Sequence, residues 1–396
     1  MHDFTHRSPT EIVFGENAEE KVAELIKKHG GTRVLVIYGG GSIVRSGLLG
    51  KVTARLDDAG IYYQLFGGVQ PNPLISKVRE GVAVALEMKA DLMLAIGGGS
   101  CIDTAKAVAH GTASPETDIW DFWTQKVPLV KTLPVGSILT IPAAGSETSS
   151  SCVLTEDISK TKLGYNTDVN YPAFTIMDPA LASTLPQYQL GCGVTDILMH
   201  TLDRYFNLYD DNETTDEIAE AIMRMTIKNG YKAWNDPTDY HAMSEMMWCA
   251  SLSHNGLTGL GGTRDFSVHM FGHELSGKFN LAHGASMAVS WTPVSLYIAK
   301  DHPERYARYA RNVWSVPDEG SVEEQAQVGI WKTTELFRSM GIPVCASDFL
   351  KRKLTEEEIE DLALRCCNYH KKTVGKLKVL DYEDMLYIFG QMNNDI

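Results

Sequence analysis

Five side chains in the second half of the chain have the types and spacings of a metal site. Asp196 and His200 stand four residues apart in a helical stretch and so share a face. His269 and His273 repeat that spacing, and His283 follows ten residues later beside Gly284. A carboxylate and several imidazoles converging from helices suit zinc or ferrous iron. The HExxH pattern of metalloproteases is not met, because Gly277 occupies the place of the second histidine after His273 and Glu274. Single histidines on helices are ordinarily structural, and His29, His110, His241, His254 and His370 are read that way. Shared spacing sets the other five apart, and spacing alone does not choose four ligands among them.

A second chemistry is written in two glycine turns, Gly39 to Ser42 and Gly97 to Ser100. Each follows an apolar run and opens a helical stretch. Such a turn lets backbone approach a phosphate, and a helix N-terminus offers unpaired N–H groups and a positive dipole. Neither turn is GxGxxG, and either by itself is an ordinary tight turn. Two at the same ends of two parallel strands point to a nucleotide lying across a sheet edge. Asp103 falls in the first turn of the second helix, where a carboxylate also suits the helix dipole. A metallohydrolase would leave both turns unexplained.

The elements that must position these residues divide the chain in two. Up to about residue 185, short apolar runs (Arg33 to Tyr38, Ile61 to Phe66, Leu92 to Ile96, Ser137 to Ile141, Phe174 to Met177) alternate with helical stretches. That alternation predicts a parallel sheet covered on both faces. Beyond it, helical periodicity runs over roughly 187–208, 214–234, 239–260, 264–278, 283–299, 303–313, 320–340 and 355–371, with Pro186 as a start signal. The expected organisation is a dinucleotide-binding α/β domain over 1–185 and a helical, metal-binding catalytic domain over 186–396. With no linker or repeat, the halves are expected to pack closely, and the cleft between them is the default ligand site.

Composition removes other classes. With 44% apolar residues the chain can build packed cores, which excludes disorder. A net charge of −14 repels nucleic-acid phosphates, so no nucleic-acid partner is expected. The longest apolar runs fall far short of the roughly 20 residues of a bilayer helix, and the first residues lack a signal-peptide plan. The seven cysteines are scattered without a CxxC pair, which reads as reduced thiols in a cytoplasm.

Taken together, these motifs make the chain similar to the iron-containing (group III) alcohol dehydrogenase family, in its butanol dehydrogenase-like, NADPH-dependent aldehyde reductase branch. The resemblance spans nearly the whole chain. It is carried by Gly97 to Ser100 with Asp103 and Lys106, by Thr140 to Glu147, by Asp178 and Pro179, by Gly193 with Asp196 and His200, and by His269, His273, His283 and Gly284. It implies a dehydroquinate synthase-like fold: an N-terminal Rossmann-type α/β domain and a C-terminal all-helical domain. It also implies Asp196, His200, His269 and His283 as ligands of one divalent ion, Fe²⁺ or Zn²⁺, with His273 beside the nicotinamide as the proton-transfer group. Gly97, Gly98, Gly99 and Ser100 would hold the pyrophosphate, with Asp103 and Thr140 towards the nicotinamide, Lys162 near the ribose and Leu181 by the adenine.

The implied activity is hydride transfer between NAD(P)H and a small aliphatic aldehyde or primary alcohol, in a homodimer. The family's acidic residue for the ribose 2′-hydroxyl, when present, lies just after the strand at Arg33 to Tyr38. Here Gly39, Gly40, Gly41 and Ser42 carry no carboxylate, so NADP(H) is expected to be preferred, with NAD(H) possible. The amides opening the next helix and the Ser42 hydroxyl are the expected 2′-phosphate donors, with Arg45 one turn further on. A glycerol or other polyol dehydrogenase on the same fold, and a non-catalytic metal-binding relative, are the alternatives.

Overall fold

The computed structural model describes residues 1–395, which form two compact units. One contains residues 7–185 with 238–255; the other contains residues 1–6 and 186–237 and the chain from 256 onward.

In the first unit, β1 (Glu11–Phe14), β2 (Arg33–Tyr38), β3 (Tyr62–Phe66), β4 (Leu92–Gly97), β5 (Val135–Leu139) and β8 (Phe174–Met177) make one sheet in the order β1-β8-β5-β4-β2-β3. Every pairing in it is parallel. Its inner strands are apolar on both sides because both faces are covered. Val34, Val36, Leu92, Leu94 and Ile96 pack with helices α1 (Val22–Lys28) and α3 (Leu48–Asp58). Leu35, Ile37, Met93 and Ala95 alternate with them and point to the opposite face, where the long helix α5 (Gly99–Ala113) lies against α4 (Ile75–Glu87). Short helices α2 (Ser42–Arg45) and α6 (Ile119–Trp123) complete this part of the chain. A hairpin of β6 (Ser151–Thr155) and β7 (Lys162–Asn166) stands apart from the sheet. Neither the hairpin nor edge strand β1 was expected. The serine run ahead of β6 and the four-residue length of β1 leave little apolar alternation to read.

Past Pro186 the structure is helical: α7 (Gln187–Tyr205), α8 (Glu213–Asn235), α9 (Tyr240–His254), α10 (Ser267–Phe279), α11 (His283–Ala299), α12 (Pro303–Trp314), α13 (Val322–Ser339), α14 (Ala346–Leu350), α15 (Glu356–Cys366) and α16 (Tyr382–Gln391). Helix α16 lies beyond the predicted helices, and the reciprocal capping of Asp381 and Asp384 marks its start. Helix α9 packs with the α/β elements. Ser251 Oγ donates to Glu147 Oε1 (2.5 Å), His254 Nδ1 meets the Ala144 carbonyl (2.8 Å), and a Cβ on Gly145 would lie 2.6 Å from the Ala250 carbonyl oxygen. None of the helices among the described residues is long and apolar enough to cross a membrane. All seven cysteines are free thiols.

His110 is a core histidine with both ring nitrogens engaged, by Thr132 Oγ1 (2.9 Å) and Asn170 Oδ1 (2.7 Å). Burial is the largest influence on it and pushes its pKa from 6.5 down to about 4. The unfolded chain therefore binds the extra proton first, so this group's contribution is complete above pH 6.5 and is lost as pH falls towards 4. Wild type should lose about 2 kcal/mol through His110 between pH 7 and pH 5. In His110→Gln that slope disappears, which urea unfolding at pH 7, 6 and 5 will measure.

Candidate metal centre and nucleotide turns

Three helices of the second unit deliver the metal-type side chains. Helix α7 is buried along most of its length and carries Asp196 and His200 one turn apart. Its last carbonyl, that of Tyr205, accepts Arg305 Nε (3.0 Å) and Nη2 (2.5 Å). Arg305 is held in turn by both oxygens of Asp216 on α8, at 2.6 Å each. Helix α10 presents His269. Helix α11 begins at His283, and its close approach to α7 depends on the next residue: a Cβ on Gly284 would sit 2.1 Å from the Cys192 carbonyl oxygen. Any larger residue must push α11, and His283 with it, away from Asp196.

Asp196, His200, His269 and His283 each bring one donor atom within 4.8 Å of the others. His200 Nδ1 lies 3.2 Å and His283 Nε2 3.5 Å from Asp196 Oδ1. Ligand bonds of about 2.0–2.2 Å in tetrahedral array set donor separations of this size. Buried His269 Nε2 has no hydrogen-bond partner, whereas its Nδ1–H donates to the Asp203 carboxylate. That bond keeps the proton on Nδ1 and leaves the Nε2 lone pair directed at the cluster, the arrangement of a metal-ligating imidazole. The donor set fits a divalent ion. Asp196, His200 and His269 are buried and His283 is one quarter exposed, so the cluster is most open on the His283 side. His273 stands outside the four, its ring centroid 5.5 Å from that of His283 and 6.2 Å from that of His269. Asp203 was not singled out in the sequence, although its place seven residues after Asp196 puts it on the same helical face.

In the α/β unit the two glycine turns leave the same edge of neighbouring strands, since Tyr38 on β2 pairs with Ile96 on β4. Gly40, Gly41 and Ser42 are exposed, and the Arg45 guanidinium folds back over them, 2.7 Å from where a Gly41 Cβ would be. The helix that follows has only four residues, so its dipole adds little. At its start the Ser42 hydroxyl and the Arg45 guanidinium are exposed polar groups. At the second turn, Gly97 (φ 155°), Gly98 and Gly99 lead into α5, and a Cβ on Gly98 would lie 2.3 Å from Ile141. The Thr140 amide donates to the Gly97 carbonyl (3.1 Å), which brings the two segments together.

Asp103 lies beyond the first turn of α5 and acts as a tether rather than a dipole partner. It accepts Ser146 Oγ (2.6 Å) and the Val153 amide (3.0 Å). Fully buried Lys106, one turn on, donates to the carbonyls of Ser146 (2.8 Å), Ser149 (3.2 Å) and Ser151 (2.7 Å). Burial pushes the Asp103 carboxyl up and the Lys106 ammonium down, and each charge opposes the shift of the other. Glu147 is likewise pushed up by burial, against its bond from Ser251. Lys162 donates to Asn72 Oδ1 (3.0 Å), a buried residue the sequence reading passed over. Leu181 lies in a short 3₁₀ turn capped by Asp178 and is partly buried against the hydrophobic core of the α/β unit.

Two family descriptions match almost end to end. Iron-containing alcohol dehydrogenase covers residues 9–179, and the C-terminal part of the Fe-containing alcohol dehydrogenase family covers 192–392. NADH-dependent butanol dehydrogenase A of Clostridium acetobutylicum is 37% identical over 390 residues, 98% of this chain and 99% of that one. The NADPH-dependent aldehyde reductase YqhD of Escherichia coli is 33% identical over 353 residues, 88% of this chain and 89% of that one. The crystal structure of NADH-dependent butanol dehydrogenase A from Thermotoga maritima superposes with a TM-score of 0.94 at 33% identity, covering 100% of this chain and 99% of the other.

Replacing Asp203 by Asn should release the His269 proton from Nδ1 and weaken divalent-metal affinity by about 10- to 100-fold. Competition between the apoprotein and a chromophoric chelator for Zn²⁺ measures this directly.

Proposed function

The chain belongs to the iron-containing alcohol dehydrogenase family, and from that premise we propose that it reduces small aliphatic aldehydes with NADPH at a metal centre made of Asp196, His200, His269 and His283. It is an oxidoreductase that moves a hydride between a nicotinamide dinucleotide and an alcohol or aldehyde. The metal and the nicotinamide nucleotide are its cofactors. The observation that carries the metal assignment is the cluster itself, with His269 Nε2 buried, unpartnered and fixed in its tautomer by Asp203. In this reading the α/β domain, 1–185, holds the dinucleotide and the helical domain, 186–396, holds the ion.

When bound, a divalent ion supplies Lewis acidity at the substrate oxygen. The protein's own residues do the rest. Asp196 and the three imidazoles keep the ion in place, and Asp203 orients one of them. Gly97 to Ser100 and Thr140 hold the nucleotide, with Asp103 and Lys106 stiffening the loop beside them. His273, on the helical face next to His269, passes a proton to the product oxygen through an imidazole nitrogen. His273→Asn should lower kcat about 10²-fold while metal content stays at the wild-type level, because it stands outside the four donors. Loss of metal in that variant would instead make His273 a ligand.

NADPH is favoured over NADH by the first glycine turn. It has no carboxylate to repel a 2′-phosphate, and Ser42 and Arg45 lie exposed over it. The names of the relatives include NADH-dependent butanol dehydrogenases and an NADPH-dependent aldehyde reductase and so do not choose the nucleotide; the proposal rests on the turn. Apoprotein reloaded with Fe²⁺ or Zn²⁺ and assayed on short aldehydes should show the higher kcat/KM with NADPH. A Cβ on Gly39 would meet the Val69 carbonyl oxygen at 3.3 Å, so a side chain there asks the neighbouring backbone to give by a few tenths of an ångström. Gly39→Asp should move the NADPH-to-NADH ratio of kcat/KM towards NADH by about tenfold or more, through like-charge repulsion. A wild-type preference for NADH would refute the assignment.

A further inference from the structure

Asp265 is a buried carboxylate used by neither the metal cluster nor the nucleotide turns. Its Oδ1 accepts the Ser267 amide at the entry of α10 (2.9 Å). Its Oδ2 accepts the amides of Lys376 (2.7 Å) and Leu377 (2.8 Å), more than a hundred residues further along the chain. Its own amide donates to the carbonyl of Asp203 (2.8 Å), the residue whose carboxylate holds His269.

The backbone on both sides of Asp265 is unusual. Arg264 (φ 51°) and Phe266 (φ 59°) are both left-handed, a conformation that non-glycine residues hold only where their surroundings impose it. The Phe266 ring lies 4.7 Å from the Arg204 guanidinium carbon. The turn at 374–380 is pressed onto this entry. Gly375 has φ 89°, and a Cβ there would lie 2.2 Å from the Lys378 carbonyl oxygen, 2.7 Å from Ser267 Oγ and 3.3 Å from Asp265 Oδ2. Further along α10, Glu274 accepts Arg365 Nε at 3.0 Å, so the segment 365–377 holds this helix at its entry and past its middle.

We infer that Asp265 is a positioning residue for the metal centre: it joins the 374–380 turn, the entry of α10 and the backbone of Asp203, and so sets the direction from which His269 enters the cluster. This rests on the reading that Asp196, His200, His269 and His283 hold the ion. Asp265 touches no donor atom and acts through Asp203 and His269. Deleting one of its two carboxylate acceptors leaves an amide group facing other amides, which opens the clamp without removing a ligand.

The test is Co²⁺ binding to the apoproteins of wild type, Asp265→Asn, Asp265→Glu, Gly375→Ala and His269→Ala, below the unfolding temperature of each. The readouts are affinity by chelator competition and the visible d–d spectrum, which reports ligand geometry. Asp265→Asn should weaken Co²⁺ by about 10- to 100-fold and alter the d–d bands. Gly375→Ala should do the same from the other side of the clamp, and Asp265→Glu should recover part of the loss. If Asp265→Asn does not fold, Gly375→Ala decides by the same two readouts. Wild-type affinity and spectrum in the folded clamp variants overturn the inference, and so does a fall in thermal stability alone. Wild-type affinity in His269→Ala overturns the ligand assignment instead, so the two failures are separable.

Discussion

Taking a carboxylate and imidazole lone pairs out of water costs several kcal/mol unless something answers them, and a buried cluster such as Asp196, His200 and His269 is stabilised by a partner of opposite charge. That demand organises the helical unit. Two donors come from one face of α7, where helical periodicity aligns them at no extra cost. The other two must be carried in by separate helices. Gly284 lets α11 reach the backbone of α7, and Asp203 together with Asp265 sets the start of α10. The outer anchors are themselves buried and ionic, with Arg305 spanning Asp216 and the end of α7. A network of this kind contributes direction more than net stability, because its own desolvation offsets much of its attraction.

The α/β unit solves a different problem, that of holding glycine-rich backbone still. Glycine turns approach phosphates closely because they lack side chains, and for the same reason they have nothing of their own to pack. Lys106 and Asp103 supply the missing rigidity from the adjacent helix, by capturing three loop carbonyls, a hydroxyl and an amide. Helix α9 backs the same loop through Ser251 and His254. The polar groups near the glycine turns thus divide between those left exposed, such as Ser42, and those consumed in bracing.

Much of this was legible beforehand. The central strands β2, β4 and β8 announce themselves as unbroken apolar runs because both sheet faces are covered. The pairing of Asp196 and His200 on one face of α7 and the two glycine turns follow from spacing. The hairpin of β6 and β7 did not, because its serine-rich approach and half-exposed faces weaken the alternation. Helix α9 reads as one more helix of the second half, yet its polar bonds attach it to the 144–148 turn, a choice of partner that periodicity does not encode. Asp203 shares the face of Asp196 and was open to discovery; Asp265 was not, since its partners at 376 and 377 are distant in sequence.

What the residues determined by themselves is therefore local: which side chains share a helical face, where the backbone is freed by glycine, and that the two halves differ in layer type. Those properties depend on intervals of two to seven residues, and an interval is visible in a string of letters. Only the tertiary structure decided that four of the five metal-type side chains converge and that His273 stands beside them. It alone decided that Lys106 is a brace. Each of those outcomes depends on how closely one backbone approaches another. That distance is set by packing at positions such as Gly284 and Gly375, each pressed against residues some hundred positions away in the chain.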